Sequence, residues 1–348
     1  MLAGRKNEER SLGHLLKYIL KRILLMIPVF MLVLFIVFTI NYFSPGDPLT
    51  EILGDTATQE QVDAKRAELG LDDPYFVQLG RYVKNIVIDF DFGVSYRSGR
   101  PVIGEIIERA PTTFLLTLCS ISFATVVGVT LGIISATKQY SFFDYIATFV
   151  SLVGASMPSF WLGLMLMLLF ALKLGWLPSS GFAGPSYWVL PSIAISVIPI
   201  STITRTTRSS MLEVIRQDYM RTARSKGLSE LTVITKHGLK NTLIPVITIL
   251  GIQIGRTLGG AIVTESIFSI PGLGSLMVNS IKSKNYPSIQ GCVLFCALCF
   301  CVINLVVDVL YAYIDPRIKA QYTRPKTKVM IERATEVLEG REEAADEQ

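Results

Sequence analysis

Six long stretches of the chain carry few charged residues, and this pattern constrains the fold more than any other feature of the sequence. A helix needs about 20 apolar residues to cross the hydrocarbon core of a bilayer, and each stretch approaches or exceeds that length. Only 18% of the residues are charged, against about 25% in an average soluble protein. We therefore predict an all-α polytopic membrane protein with six transmembrane helices. The predicted spans are 18–41, 113–137, 145–172, 187–204, 243–268 and 291–314.

The positions of lysine and arginine predict the orientation in the membrane, because cytoplasmic loops are enriched in these residues. The first seventeen residues and the loop at 205–241 are both rich in Lys and Arg. In the long stretch before the second span, by contrast, acidic residues outnumber basic ones. We therefore expect both termini and the loop at 205–241 to lie in the cytoplasm.

The stretch between the first two spans is expected to fold into a small extracytoplasmic cap. Its segments at 59–70 and 77–88 have helical periodicity, and Gly70 fits the end of a helix. The predicted parts of the chain are a cytoplasmic N-terminus (1–17), the first transmembrane helix (18–41), the cap (42–112), a five-helix core that contains the loop at 205–241 (113–318) and a cytoplasmic tail (319–348).

The cytoplasmic loop at 205–241 is more regular than a linker between two spans requires. Apolar residues recur at helical spacing on both sides of Gly227. The pattern predicts two short amphipathic helices joined at this glycine, which indicates that the loop binds another molecule. A basic helix that lies on anionic lipid headgroups is the alternative interpretation.

The chain lacks the motifs that most hydrolytic and metal-dependent enzymes require. It contains only two histidines, His14 and His237, and no phosphate-binding glycine loop, HExxH or GxSxG sequence. Cys292, Cys296 and Cys299 share one face of the last span and could bind a soft metal, but cysteine in an apolar helix is usually a small packing residue. We expect no catalytic residue, no metal site and no cofactor in this chain.

Glycines and charged side chains in the last two spans are candidates for packing or transport. Gly251, Gly255 and Gly259 recur every four residues, a spacing that lets helix backbones approach closely. Charged residues are costly inside a membrane, so a charged side chain in a predicted span is first considered as a functional residue. We expect Arg256 and Asp308 to pair with each other, to pair with a neighbouring subunit or to line a pathway.

Prolines and one carboxylate mark further positions in the predicted spans. Pro158, Pro191 and Pro199 lie in the third and fourth spans, where proline kinks or breaks a helix. Such interruptions are common in helices that line a transport pathway. Glu265, near the end of the fifth span, is expected at the outer membrane interface.

Several sequence segments, in order along residues 18–318, carry a family resemblance. They are YILKRILLMIPV (18–29), SPGDP (44–48), LGLDDPYFVQLGRYVKN (69–85), MPSFWLGL (157–164), LGWLPSSG (174–181), MLEVIRQDYMRTARSKGLSE (211–230), ESIFSIPGLGSL (265–276), YPSIQG (286–291) and NLVVDVLYAYIDPRI (304–318). Together they resemble the permease subunits of ATP-binding-cassette (ABC) importers of the dipeptide, oligopeptide and nickel class. The resemblance is to the first of the two paralogous permeases in such systems.

This resemblance implies a type I ABC importer permease fold in the cytoplasmic membrane of a bacterium. It implies a heterodimer with a second paralogous permease in contact with membrane lipid, two ATP-hydrolysing subunits below and an extracytoplasmic substrate-binding protein above. ATP and magnesium would bind to the ATPase subunits, and no nucleic acid partner is expected. Peptides are the expected substrates, and nickel chelates, glutathione and heme are alternatives within the same family.

The resemblance also implies that the cytoplasmic loop contains the coupling helix, which inserts into a cleft of an ATPase subunit. Importer permeases carry a Glu-Ala-Ala stretch followed by glycine, and Arg221-Thr222-Ala223-x3-Gly227 occupies that place here. Only Ala223 and Gly227 match the general pattern. The residues expected to couple to the ATPase are Asp218, Tyr219, Arg221, Thr222, Ala223, Lys226, Gly227 and Leu228.

The turn at 269–273 is expected to lie on the outer side and to contact the binding protein. Pro271, Gly272 and Leu273 are the residues expected to make this contact. Two functions of other classes remain open. A stand-alone channel or ion-coupled carrier would use Arg256 and Asp308, although it would need no ordered docking loop. A membrane-embedded enzyme or redox protein would use the cysteines at 292–301.

Overall fold

The computed structural model describes residues 2–45, 49–54 and 57–314, and within these ranges the chain is almost entirely helical. The only strand pairing among them is one isolated bridge between Val94 and Pro101. Five helices are long and apolar enough to cross a membrane, and a bent pair of helices makes a sixth crossing when it is counted as one span. The predicted all-α fold with six transmembrane segments is therefore confirmed.

Most of the described residues belong to one compact unit, Leu24–Asn304, and those near the two termini form a second unit. Two π-helical turns, Met167–Lys173 and Val233–Gly238, continue α7 and α10. The helices are α1 (Leu2–Tyr42), α2 (Leu49–Leu53), α3 (Gln59–Leu69), α4 (Tyr75–Val87), α5 (Val102–Thr137), α6 (Phe142–Ser156), α7 (Ser159–Leu166), α8 (Ser186–Ile215), α9 (Asp218–Ser225), α10 (Glu230–Thr232), α11 (Leu239–Ile267), α12 (Leu273–Lys282) and α13 (Tyr286–Ile314).

Short helices lie between the first two membrane-crossing helices, as the periodicity predicts. α3 begins with a capping box, in which the Gln61 N–H donates to Thr58 Oγ1 and the Thr58 N–H donates to Gln61 Oε1. It ends at Gly70, whose left-handed conformation (φ 63°) suits a residue without a Cβ. α4 packs Ile86 against Leu34 of α1. These contacts make the stretch a folded cap.

The third crossing is not the single helix that the apolar run at 145–172 predicts. α6 and α7 are separated by a short break and bent by 106°. Pro158 lies in the break, where its ring and its missing N–H prevent the helix from continuing. Pro191 and Pro199, in contrast, lie inside α8, which continues past both of them.

α8 is longer than its apolar segment. The run at 187–204 predicts a short span, whereas the helix continues to Ile215. Its last turns carry Arg208, which is ion-paired with a carboxylate of α6, and the buried residues Met211 and Val214. Because these side chains have partners, the backbone stays helical beyond the apolar segment. The first part of the predicted loop is therefore an extension of the fourth crossing.

Two glycines set the distance between α5 and α8. A Cβ at Gly128 would lie 2.9 Å from the Cβ of Ile203, and a Cβ at Gly132 would lie 2.5 Å from the Cβ of Thr207. Both distances are shorter than the usual contact of about 3.5–4.0 Å between carbon atoms. Glycine at these positions therefore lets the two helices pack this closely.

We predict that Gly132→Ala destabilises the protein, because the new methyl group would meet both Thr207 and the carbonyl oxygen of Thr204. The expected loss is about 1–3 kcal/mol, the usual cost of overpacking. Gly104→Ala is the matched control, since Gly104 lies in the same helix and no atom would approach its Cβ within 4 Å. Thermal unfolding in detergent should show a lower Tm for the first variant only. An equal Tm for both variants would contradict this account of the packing.

Candidate functional site

The short helix α9 packs against neighbouring segments through one apolar face. Met220 and Ala223 are buried in a small cluster with Val214 at the end of α8 and Val233 in the π-helical turn before α11. Ile215 packs against the edge of this cluster. α9 is therefore in contact with segments that continue directly into two membrane-crossing helices.

The other side of α9 and the segment after it are exposed. Of the eight predicted coupling residues, Ala223 faces inward and the other seven are exposed. Tyr219 and Leu228 add large apolar area to this surface. We call it the α9 surface; its members are Asp218, Tyr219, Arg221, Thr222, Lys226, Gly227 and Leu228.

Gly227 ends α9 in a left-handed conformation, with φ 76°. Its N–H donates to the Arg224 carbonyl oxygen at 2.9 Å. Arg224 also spans the turn, because its Nη2 and Nε donate to the two carboxylate oxygens of Glu230 at 2.8 and 3.0 Å. This hydrogen-bonded pair raises the pKa of Arg224. The predicted break at the glycine is present, and an ion pair fixes its geometry.

A second contact holds α9 from its other end. Asn241 Nδ2, in the first turns of α11, donates to the hydroxyl oxygen of Tyr219 at 2.8 Å. The contact lies on the exposed side, so part of the Tyr219 side chain is engaged within the chain while its ring stays accessible. α9 is thus held by the buried cluster, which includes the π-helical turn before α11, and by this hydrogen bond to α11 itself.

Asp144, which is not among the predicted site residues, joins three helices through its carboxylate. Asp144 of α6 is 4% exposed and accepts hydrogen bonds from Arg208 Nε and Nη2 of α8, both at 3.0 Å. Ser135 of α5 donates its hydroxyl to the same carboxylate, and the Tyr140 N–H donates to it at 3.0 Å. This network ties the ends of α5, α6 and α8 together.

A local sequence signal for Asp144 exists. Ser141 caps α6 by accepting the Asp144 N–H, and an acidic residue in the first turn of a helix is favourable. An isolated carboxylate directly before an apolar run can therefore be interpreted as part of a cap. Its partner Arg208 lies 64 residues away and resembles the other basic residues of its segment. Their pairing is visible only in three dimensions.

At the opposite end of α11, Glu265 is fully buried against neighbouring helices. Its position at the outer membrane interface stays a prediction. Its carboxylate accepts hydrogen bonds from Thr113 Oγ1 at 2.6 Å, the Gly274 N–H at 2.7 Å and the Ser275 N–H at 3.1 Å. The last two groups belong to the first turn of α12, whose unpaired N–H groups favour an anion. Glu265 thus fixes α12 against α5 and α11.

The turn expected to contact a binding protein is only partly accessible. Pro271 is exposed, whereas Gly272 and Leu273 are buried. A Cβ at Gly272 would overlap the Glu265 carboxylate, and Leu273 packs against Val102 and neighbouring core residues. Gly272 and Leu273 therefore shape the turn, and Pro271 is the one of the three that a partner could reach.

The α11 glycines differ in what they face. Gly251 and Gly255 are buried, and a Cβ at Gly255 would lie 2.7 Å from a ring carbon of Phe300 in α13. Among the described residues, Gly259 has no atom within 4 Å of its Cβ position, and it lies on an exposed side of α11 together with Arg256. Close helix packing within the chain is therefore seen at Gly255, while Gly259 leaves open space.

Asp308 forms an ion pair within the unit that contains residues near the two termini. Asp308 lies 3.0 Å from Arg22 Nη1. Arg256 has no carboxylate within ion-pair distance among the residues that the structure describes. Across the same residues, no group of three or more His, Cys, Asp or Glu side chains could hold a metal ion, and the five cysteines are free.

Comparisons with known proteins agree on one family. The family described as "Binding-protein-dependent transport system inner membrane component" matches residues 128–320, and its N-terminal counterpart matches residues 15–117. The dipeptide transport system permease protein DppB of Alkalihalophilus pseudofirmus is 44% identical over 333 residues, which cover 88% of this chain and 100% of DppB. The glutathione transport system permease protein GsiC of Escherichia coli K12 is 42% identical over 305 residues, covering 88% and 99%.

A solved structure with the same fold supports this agreement. A chain from inward-facing conformations of the MetNI methionine ABC transporter matches with a TM-score of 0.52 and 16% sequence identity. The match covers 61% of this chain and 97% of that chain. At this identity the likeness concerns the fold alone, and it confirms a type I ABC importer permease architecture.

We predict strong energetic coupling between Asp144 and Arg208. A double-mutant cycle with Asp144→Ala and Arg208→Ala should give an interaction energy of up to about 3 kcal/mol, because removing one partner leaves the other poorly solvated and unpaired. The exposed pair Arg100–Glu108, also at 3.0 Å, is the control and should give about 0.2–1 kcal/mol. Unfolding of the purified protein in detergent measures both cycles. Equal, small values would show that the Asp144 network does not hold the helices.

Proposed function

This chain belongs to the family of binding-protein-dependent transport system inner membrane components, and we propose that it is the peptide-transporting permease of an ABC importer. The family and the fold make it a transport subunit of the inner membrane with several transmembrane segments. Peptides as substrates are supported by its 44% identity to a dipeptide permease along that relative's whole length. Glutathione, itself a small peptide, is the second candidate, because GsiC is similar over the same share of this chain.

The observation that carries the proposal is the exposed α9 surface, together with the buried cluster that holds α9 from its other side. Met220 and Ala223 anchor α9, and Asp218, Tyr219 and Arg221 project from it. Such an exposed, partly apolar helix with a fixed base fits a cleft on another protein. We propose that an ATP-hydrolysing subunit binds here and that ATP and Mg²⁺ are bound by that subunit, since this chain has no phosphate-binding motif.

Rigid attachment would let α9 transmit movement. The cluster beneath it includes Val214 of α8 and Val233, which leads into α11. A displacement of the ATPase subunit would therefore act on both helices at once. The Asp144–Arg208 pair would extend the same displacement to α5 and α6. ATP-driven closure would in this way alternate the access of the transport pathway between the two sides of the membrane.

The remaining assembly follows from the same proposal. A second, paralogous permease would pair with this chain in the membrane, two ATPase subunits would lie below, and a substrate-binding protein would deliver peptide from outside. Pro271 is the accessible residue of the outer turn for that last contact. We propose cytoplasmic termini from the Lys- and Arg-rich first seventeen residues. The tail at 319–348 lies outside the described residues.

Co-purification with the products of neighbouring genes tests the assembly. We expect the tagged wild-type chain, solubilised gently, to bring down two ATPase subunits and a second permease, and we expect vesicles of this complex to take up dipeptides in an ATP-dependent manner. Uptake of glutathione in place of dipeptides would change the substrate and leave the importer intact. A chain that purifies alone, or only with copies of itself, would contradict the importer assignment.

Gly227 provides a test that separates docking from folding. Gly227→Asp should abolish uptake and ATPase co-purification, because a charge would be buried in the interface with the ATPase subunit. Within the described part of this chain, no atom lies within 4 Å of the new Cβ, so the fold should tolerate the change. Gly227→Asn is the control of equal size without charge, since asparagine tolerates positive φ better than most residues. We expect this control to keep most of the uptake. Normal uptake by the aspartate variant would exclude the proposed docking site, even if the complex itself purifies.

A further inference from the structure

A cleft of about 570 Å³ opens beside the Asp144–Arg208 pair, between α6 and α8. Ser151 and Leu152 of α6 and Thr204 and Arg205 of α8 line it. It lies on the same half of these helices as the extension that leads to α9, away from the Glu265 end of the bundle. The orientation proposed above therefore places the cleft in the cytoplasmic half of the membrane.

The cleft carries one uncompensated positive charge. Arg205 and Arg208 of α8 and Arg216, directly after it, line the cleft, and Glu213 is the one acidic residue among the described residues that line it. The charge of Arg208 is already balanced by Asp144. Two guanidinium groups thus remain against one carboxylate, so the cleft has the charge to hold one monovalent anion.

An exposed apolar strip of α6 leads into the cleft. Tyr145, Phe149 and Leu152 lie at positions i, i+4 and i+7 of the helix and are 65%, 66% and 62% exposed. Leu152 also lines the cleft, so the strip and the cleft are continuous. Residues at this spacing form one face of a helix. A molecule that covers the strip must be apolar along a length of several helical residues.

We propose that this cleft binds one anionic phospholipid of the cytoplasmic leaflet. Its singly charged phosphodiester would pair with Arg205 and Arg216, and its acyl chains would cover the apolar strip on α6. Basic sites between transmembrane helices on the cytoplasmic side are suited to acidic headgroups. A soluble anion or a peptide carboxylate could pair with the guanidinium groups, but neither would cover Phe149.

Native mass spectrometry of the complete, detergent-solubilised complex tests this proposal. Phosphatidylglycerol is the probe, and phosphatidylcholine, which has no net charge, is the comparison lipid. We expect wild type to retain one phosphatidylglycerol in preference to phosphatidylcholine. Arg205→Gln combined with Arg216→Gln should bind it at least about tenfold more weakly, because each basic residue near an acidic lipid surface contributes about fivefold.

Lys236→Gln with Lys240→Gln is the matched control, since it removes two positive charges from the same region outside the cleft. This control should retain the lipid as wild type does. Equal retention in the Arg205 and Arg216 variant, equal binding of phosphatidylcholine, or displacement by inorganic phosphate or by a dipeptide would each overturn the proposal. None of these outcomes bears on ATPase co-purification, so the lipid site and the importer assignment are tested separately.

Discussion

The buried ion pair between Asp144 and Arg208 is the interaction on which the inner half of the bundle depends. An ionised carboxylate with little solvent is unfavourable unless it is paired and hydrogen-bonded, and Asp144 has a bidentate guanidinium, a hydroxyl and a backbone N–H as partners. The pair fixes α6 against α8 where α8 leaves its apolar segment. The buried cluster beneath α9 and the neighbouring cleft both contain residues from this part of α8, so their geometry depends on the same contact.

The membrane itself explains why so much of the fold could be predicted from sequence. Because the bilayer core offers no hydrogen-bonding partners, an apolar run must form a helix, and the run lengths then give the number of crossings. In the loop outside the bilayer, a different signal predicts the break: apolar residues recur at helical spacing on both sides of Gly227, which adopts a left-handed conformation. The bend at Pro158 was only partly predictable, since Pro191 and Pro199 occupy similar apolar runs and leave their helix continuous.

The polar contacts that fix the helices could not be predicted, because they join residues far apart in the chain. The buried Glu265 carboxylate is hydrogen-bonded by Thr113, 152 residues earlier in the chain, and by the N-terminus of α12. Asp308 pairs with Arg22, which lies near the other end of the chain. Ala223 matched a family pattern, yet a pattern does not reveal that this side chain faces inward.

The sharp bend between α6 and α7 has a consequence for how the third crossing is built. α6 contains 15 residues, a length of about 22 Å, which is shorter than the roughly 30 Å hydrocarbon core. The carbonyl groups at its broken end would lack hydrogen bonds in pure lipid. The two halves can therefore complete the crossing only as a pair, and α8, which packs against both of them, shields that pair from lipid on one side.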